Sequence, residues 1–350
     1  MKQRLAIPIL LSILLGVMIA VPTSALPNRD QAQAHYQRGD ELSDSGKYEE
    51  AVDEFRKAIR LNPSHFESHN NLGFAFSRLG RYWEAVHEYK EAVRVHPDNA
   101  VARNNLGFMY NKLGLYEEAI LHLKEAILLD PNYAIAHNNL GWTYNRQKKF
   151  KEGVAVLKEA VRLDPDHADA HNNLGWAYNG LKQYEDALPI LKKAIRLNPK
   201  SAYSKNNLGW AYRGLNRYEK AITAFEEAIR IDPKLEYPYS NLAYAYDSLK
   251  DGTKALAYVD QWEKLAIENG NINQLRRATE FSIELNFLSN SRKNTIATER
   301  NWFDLLDQFW AGTNARHSSA EGEFAHDVKL FLVSVRTFSP NLHADKTWLF

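Results

Sequence analysis

From Ala102 to Pro131 the chain reads ARNNLGFMYNKLGLYEEAILHLKEAILLDP, and most of this stretch returns every 34 residues. Leu106, Gly107 and Tyr110 share one stripe between Ala102 and Lys112; Ile120, Leu123, Ala126 and Ile127 share another between Tyr116 and Leu129. Both stripes keep the 3.6-residue period of an amphipathic helix. Leu113-Gly114-Leu115 interrupts the first pattern, and Asp130-Pro131 closes the second. A proline cannot donate to the helical ladder and restricts the residue before it. The spacing predicts two helices joined by a tight turn.

Working outward, Leu-Gly recurs at Leu72-Gly73, Leu106-Gly107, Leu140-Gly141, Leu174-Gly175 and Leu208-Gly209. Pro63, Pro97, Pro131, Pro165, Pro199 and Pro233 keep the same interval, as do Ala58, Ala92, Ala126, Ala160, Ala194 and Ala228. The frame extends without insertion or deletion to seven units: 32–65, 66–99, 100–133, 134–167, 168–201, 202–235 and 236–269. Glycine at the eighth position and alanine at the twentieth lack bulk, so the two helices of a unit can approach closely. One pair cannot cover its own apolar face; stacked neighbours make a continuous core. The expected fold is all-α.

The repeated Leu-Gly, Tyr, Ala, Phe/Leu, Ala and Pro positions resemble those of the tetratricopeptide-repeat family. The resemblance implies a right-handed superhelical α-solenoid of helix-turn-helix repeats, closed by a small C-terminal capping region. Departures sit mostly at the ends. The first unit has Arg38 for the Leu and Leu42 for the Tyr, and the seventh has Ala243 for Gly, Trp262 for Ala and Ile267 for Pro. Gly153 takes the small position of the fourth. Atypical terminal units suit capping, since one face of each meets water.

The family's first helices line a concave groove, with positions 2, 5, 6, 9, 12 and 13 touching ligands. Position 6 here is Asn71, Asn105, Asn139, Asn173, Asn207 and Asn241; position 5 is Asn70, Asn104, Asn138, Asn172 and Asn206. An amide offers two donors and a two-lone-pair acceptor, so a row of them can pair with the main chain of an extended peptide. The ladder is similar to that of O-linked N-acetylglucosamine transferase superhelices. The same asparagines can instead bond neighbouring helices to one another. Position 9 is Phe74, Phe108, Trp142, Trp176, Trp210 and Tyr244, where the family more often carries polarity. Such rings either contact a ligand, as interface aromatics do, or fill space between first helices. Carboxylate clamps of the family use Lys or Arg at positions 2, 5 and 6, so none is expected here.

Composition narrows the chemistry. With 44 Lys+Arg against 43 Asp+Glu the formal net charge is +1, which lacks the basic footprint of a nucleic-acid binder. No cysteine is present, which removes disulfides, thiolate metal sites and a cysteine nucleophile. His65/His69 and His167/His171 have the i, i+4 spacing of a metal pair but straddle unit junctions, and read as solvated surface histidines. Nucleotide, hydrolase and metalloprotease motifs do not occur. The chain is read as non-enzymatic, with no cofactor and no metal.

The ends carry different signals. Lys2 and Arg4 precede the uncharged run Leu5 to Val21, and Thr23 and Ala25 suit a signal-peptidase site. Residues 1–25 are therefore read as a signal peptide cleaved after Ala25, and 26–31 as a short linker. An uncleaved inner-membrane anchor through residues 5–21 is the alternative; only in that case is a membrane a partner. The absence of an Asn-x-Ser/Thr acceptor sits with a bacterial periplasmic or secreted protein. Beyond the repeats, Arg276 to Leu288 is expected to form a sealing helix and Ser289 to Asn294 a loop. The amphipathic stretch Trp302 to Trp310 and the terminal Trp348-Leu349-Phe350 either cap the array or occupy its groove. These 81 residues, 270–350, are too few for a glycosyltransferase domain. The expected function is a scaffold that binds an extended peptide or partner segment in the groove. The alternative is an assembly factor of a cell-envelope complex acting through its convex face or tail.

Overall fold

In the computed structural model the described residues run from Ala25 to Asn290, with side chains over 28–285. They form fifteen successive helices and no strand. The signal-peptide and anchor readings, and those for 302–310 and 348–350, fall outside the described residues.

Two compact units divide at Pro131/Asn132. The first holds α1 (Ala25–Asp44), α2 (Tyr48–Leu61), α3 (Phe66–Arg78), α4 (Tyr82–Val95), α5 (Ala100–Lys112) and α6 (Tyr116–Leu129). The second holds α7 (Ala134–Arg146), α8 (Phe150–Leu163), α9 (Ala168–Gly180), α10 (Tyr184–Leu197), α11 (Ala202–Gly214), α12 (Tyr218–Ile231), α13 (Glu236–Ser248), α14 (Gly252–Glu268) and α15 (Ile272–Asn290). Within each unit every odd-numbered helix from α1 to α13 packs on the even one after it, and each pair stacks on the next. This is the α-solenoid pattern, layer on layer of helical hairpins.

The expected close approach holds. A methyl built on Gly107 would stand 2.7 Å from Leu123 Cγ and 3.2 Å from the Ala119 carbonyl, so α5 and α6 touch only because that methyl is missing. Leu123, Ala119 and Ala126 are fully buried there. The last hairpin solves the same problem differently: Ala243 replaces the glycine, and the opposing residue shrinks to Val259, both fully buried. At the small position of the fourth unit, Gly153 leaves room for Asn145 Oδ1, 2.5 Å from where a methyl would stand.

Turns inside the hairpins follow one plan. The chain reverses through a residue with positive φ, as at Gly46, Gly80 and Gly114, where φ is 74–75°. The following N–H then bonds back to the helix, Leu115 N to the Tyr110 carbonyl at 2.9 Å. In the second unit the same place holds Lys148, Lys182, Asn216 and Lys250, with φ of 57–64°.

At the C-terminal end, Ile267 replaces the terminating proline and α14 runs to 17 residues against 14 in α12. Trp262 is fully buried against Ala278, Phe281 and Leu285 of α15, and its Nε1 donates to Gln274 Oε1 at 3.2 Å. Thus α15 seals the last hairpin, as Arg276–Leu288 was expected to do. It starts four residues earlier because Asn271 Oδ1 accepts from Gln274 N. It also takes in Ser289 and Asn290, read from the sequence as loop. At the other end α1 already includes residues 26–31, so the expected short linker is helical. Among the described residues no helix is long and apolar enough to cross a membrane.

Candidate interaction surface

Asparagines at positions 5 and 6 bond one another across successive first helices. In the first unit Asn105 Nδ2 donates to Asn70 Oδ1 at 3.1 Å, Asn70 Nδ2 to Asn71 Oδ1 at 3.1 Å, and Asn71 Nδ2 to Asp40 Oδ1 at 2.9 Å. In the second, Asn173 donates to Asn138, Asn207 to Asn172 and Asn241 to Asn206, each at 2.9 Å. Asn104, Asn138, Asn173, Asn206 and Asn207 are buried, whereas Asn71, Asn105, Asn139, Asn172 and Asn241 are partly exposed. Buried amides require such partners, so the ladder joins helix to helix. A second row reinforces it: Asn145 Nδ2 and Asn179 Nδ2 each donate at 2.8 Å to the carbonyls of Asn173 and Asn207 in the next unit along.

The aromatic row is uneven. Phe74 and Phe108 are 44% and 38% exposed, whereas Trp142, Trp176, Trp210 and Tyr244 are half-buried. Tyr244 packs on Phe281 with ring centroids 4.4 Å apart, so this member belongs to the α13–α15 core. Tyr48 meets Phe74 edge-on at 6.2 Å and leaves the rest of that ring open.

Between α3 and α5 lies a recess of about 430 Å³ lined by Phe74, Ser77, Arg78, Asn105, Phe108 and Lys112, with Tyr82 and Tyr89 of α4 behind. Arg78 lies over the Tyr48 ring at 5.3 Å and Lys112 over Phe108 at 5.2 Å, so each cation is steered onto an aromatic face. In α7, Arg146 lies over Trp142 at 5.5 Å. The sequence carried this signal at position 13, which reads Arg78, Lys112, Arg146 and then Gly180 and Gly214. Where glycine takes over, the ring at the start of the preceding second helix fills the space: Phe150 against Gly180, Tyr184 against Gly214. One position earlier, Arg213 lies over Tyr244 at 5.5 Å, and burial holds its guanidinium below the usual arginine range.

The histidine pairs are structural, and the reading of them as solvated is corrected: His69 and His171 are buried. His65 caps α3, its Nδ1 accepting from Ser68 N at 3.2 Å, which requires the neutral ring; burial lowers its pKa. His69 meets acceptors at both nitrogens, Glu88 Oε2 at 2.7 Å and the Pro63 carbonyl at 3.1 Å, which requires the imidazolium. Burial opposes that charge, yet the bonds to Glu88 and Pro63 prevail and its pKa is raised. His171 Nε2 likewise donates to the Pro165 carbonyl at 2.9 Å. Among the described residues no three His, Asp or Glu side chains gather as a metal site.

Models of the tetratricopeptide repeat match residues 39–80, 76–114, 109–148, 138–202 and 202–235, more than half of the chain. The chain belongs to the tetratricopeptide-repeat family, whose members typically serve as non-catalytic protein-interaction scaffolds. A search of curated protein sequences gives no match. Among solved structures it is similar to a tetratricopeptide repeat protein from Parabacteroides merdae ATCC 43184, at 15% identity and a TM-score of 0.59 over 73% of this chain and 99% of that one. PilF of Pseudomonas aeruginosa matches at 21% identity and 0.53, over 64% and 98%. PilW, a widely conserved type IV pilus biogenesis factor, matches at 21% and 0.53, over 59% and 96%. At these identities the likeness is one of fold.

Proposed function

We propose that the chain is an exported, non-enzymatic scaffold that holds an extended segment of a partner protein along the first helices of its hairpins. The observation that carries this reading is the open pair Phe74 and Phe108 beside the α3–α5 recess. Two large rings left substantially exposed on adjacent first helices offer contact area at low conformational cost. In the second unit the half-buried Trp142, Trp176 and Trp210 hold the same position on their own first helices, and the partly exposed asparagines supply polar contacts beside them. Export rests on Lys2, Arg4 and the apolar run to Val21, with removal after Ala25.

A second reading has its own support. On α6, Leu121 and Leu128 are 56% and 80% exposed. At the place of Leu128 the other second helices carry Arg60, Arg94, Arg162, Arg196, Arg230 and Lys264. An apolar residue where six units keep a cation favours contact through the outer helices, as an envelope assembly factor would use. Photocrosslinking in native envelope separates the two, with a benzoylphenylalanine at Phe108 in one variant and at Leu128 in another. The groove reading expects a protein adduct from position 108. Adducts from 128 with none from 108 would overturn it in favour of the outer face.

A further inference from the structure

We infer that the α3–α5 recess selects an acidic segment of another protein, one that sets a carboxylate beside an apolar side chain. The inference rests on the groove reading and names the partner's chemistry. Its first support is geometric. Phe74 and Phe108 flank one recess, and Arg78 and Lys112 each follow their ring by one helical turn, so two apolar and two cationic contacts share one wall.

The second support is charge. Arg78 and Lys112 are exposed, and among the described residues neither forms an ion pair. Elsewhere on the first unit Arg81 pairs with Glu84, Arg94 with Glu91 and Arg103 with Glu125. Arg38, Arg60 and Lys124 form no ion pair either, but only Arg78 and Lys112 bring their cations to the recess. Among the cations without a carboxylate partner these two alone line the recess, where a ligand would meet them. The aromatic faces hold their heads near the recess at little further ordering cost. On α1 the equivalent place is Asp44, so the positive stretch has a limit and the segment's acidic portion falls over α3 and α5. The family's usual clamp sites, positions 2, 5 and 6, contribute no cation at this recess; the charge comes from position 13.

The test uses the full chain and fluorescence anisotropy with two labelled, end-blocked peptides of about nine residues, enough at ~3.3 Å per residue to cross three first helices. One alternates glutamate with leucine and phenylalanine; its twin carries glutamine for glutamate. The acidic peptide should bind about tenfold or more tighter, since charged hydrogen-bond partners are replaced by neutral ones. Arg78→Gln with Lys112→Gln should erase that preference, and Arg78→Glu with Lys112→Glu should reverse it toward a lysine twin. Both positions are exposed, and unchanged helicity and melting in each variant would verify folding. Equal affinity of the twins for the unaltered chain, with binding lost in Phe74→Ala/Phe108→Ala, would overturn the acidic preference and keep the groove. Binding indifferent to Phe74→Ala/Phe108→Ala would overturn the groove reading itself. If a peptide of residues 341–350 displaces the probe at lower concentration than the acidic peptide does, the occupant is the chain's own tail and the outside partner is refuted.

Discussion

Gly107→Ala tests the packing rule of the hairpins in a way the protein has already half answered. In an unobstructed helix interior the change would stabilise by about 0.5–1 kcal/mol, because alanine loses less backbone entropy. Here the new methyl meets Leu123 Cγ at 2.7 Å. Turning Leu123 about χ2 leaves Cγ in place, and its complete burial leaves no room for another χ1 rotamer, so α5 and α6 must separate. Overpacking of this kind costs about 1–3 kcal/mol, leaving a net loss of roughly 1–2 kcal/mol. Leu123→Val alone removes one buried methylene and costs about 1 kcal/mol. The double variant recreates the Ala243/Val259 pair of the last hairpin and should lose less than the two singles summed, by about 1 kcal/mol or more. Urea unfolding followed by circular dichroism, with amide exchange in α5 and α6 to localise the effect, measures all three. Strict additivity, or a stabilised Gly107→Ala, would refute the close-approach argument.

Lys148→Gly and Lys182→Gly should each stabilise by about 1 kcal/mol, since a non-glycine residue at positive φ is strained; the thermal midpoint would rise. Pro189 lies on the exposed side of α10, six residues in, where it removes a ladder hydrogen bond. Pro189→Ala should raise the urea midpoint, by about 1–3 kcal/mol of stability. The His69 contribution depends on pH. Its folded pKa lies above the ordinary value of about 6.5, so its stabilisation is complete below that pH and is lost as pH rises through the raised value. Melting across pH 5.5–8.5 should show that fall, and Glu88→Gln should flatten it.

Helix pairing was legible because each hairpin is local: stripe, turn and proline lie within one 34-residue period. The α14 extension could also be read, since Ile267 stands where the proline should be. Burial of polar groups could not. Whether Asn173 faces solvent or Asn138 is decided by a residue 35 positions away, and no periodicity within one helix reports that distance. The same holds for His69, whose acceptors Glu88 and Pro63 lie on the next helix and in the preceding turn. Arg78 and Lys112 stand at position 13 in the sequence, where nothing sets them apart from the many other surface cations. Their distinction is the recess they share with Phe74 and Phe108, which exists only once α3 and α5 are packed together.

The asparagine ladder has a grammar of its own. Within each compact unit the joints are alike: a later amide hands its N–H to an earlier oxygen, as Asn207 does to Asn172 and Asn173 to Asn138. A link of this kind carries no address. If residues 168–201 were excised, Asn207 would arrive opposite Asn138 and find the oxygen it needs; if they were duplicated, the new copy would bring both halves of its own joint. Only the ends are marked, by Asp40 accepting from Asn71 at the start and by Ser240, which replaces the position-5 asparagine in α13 and turns its hydroxyl to the Tyr237 carbonyl. Within a compact unit the array can lengthen or shorten by whole repeats while each position-6 amide still meets a position-5 oxygen, so its reach can change through recombination while its chemistry stays the same.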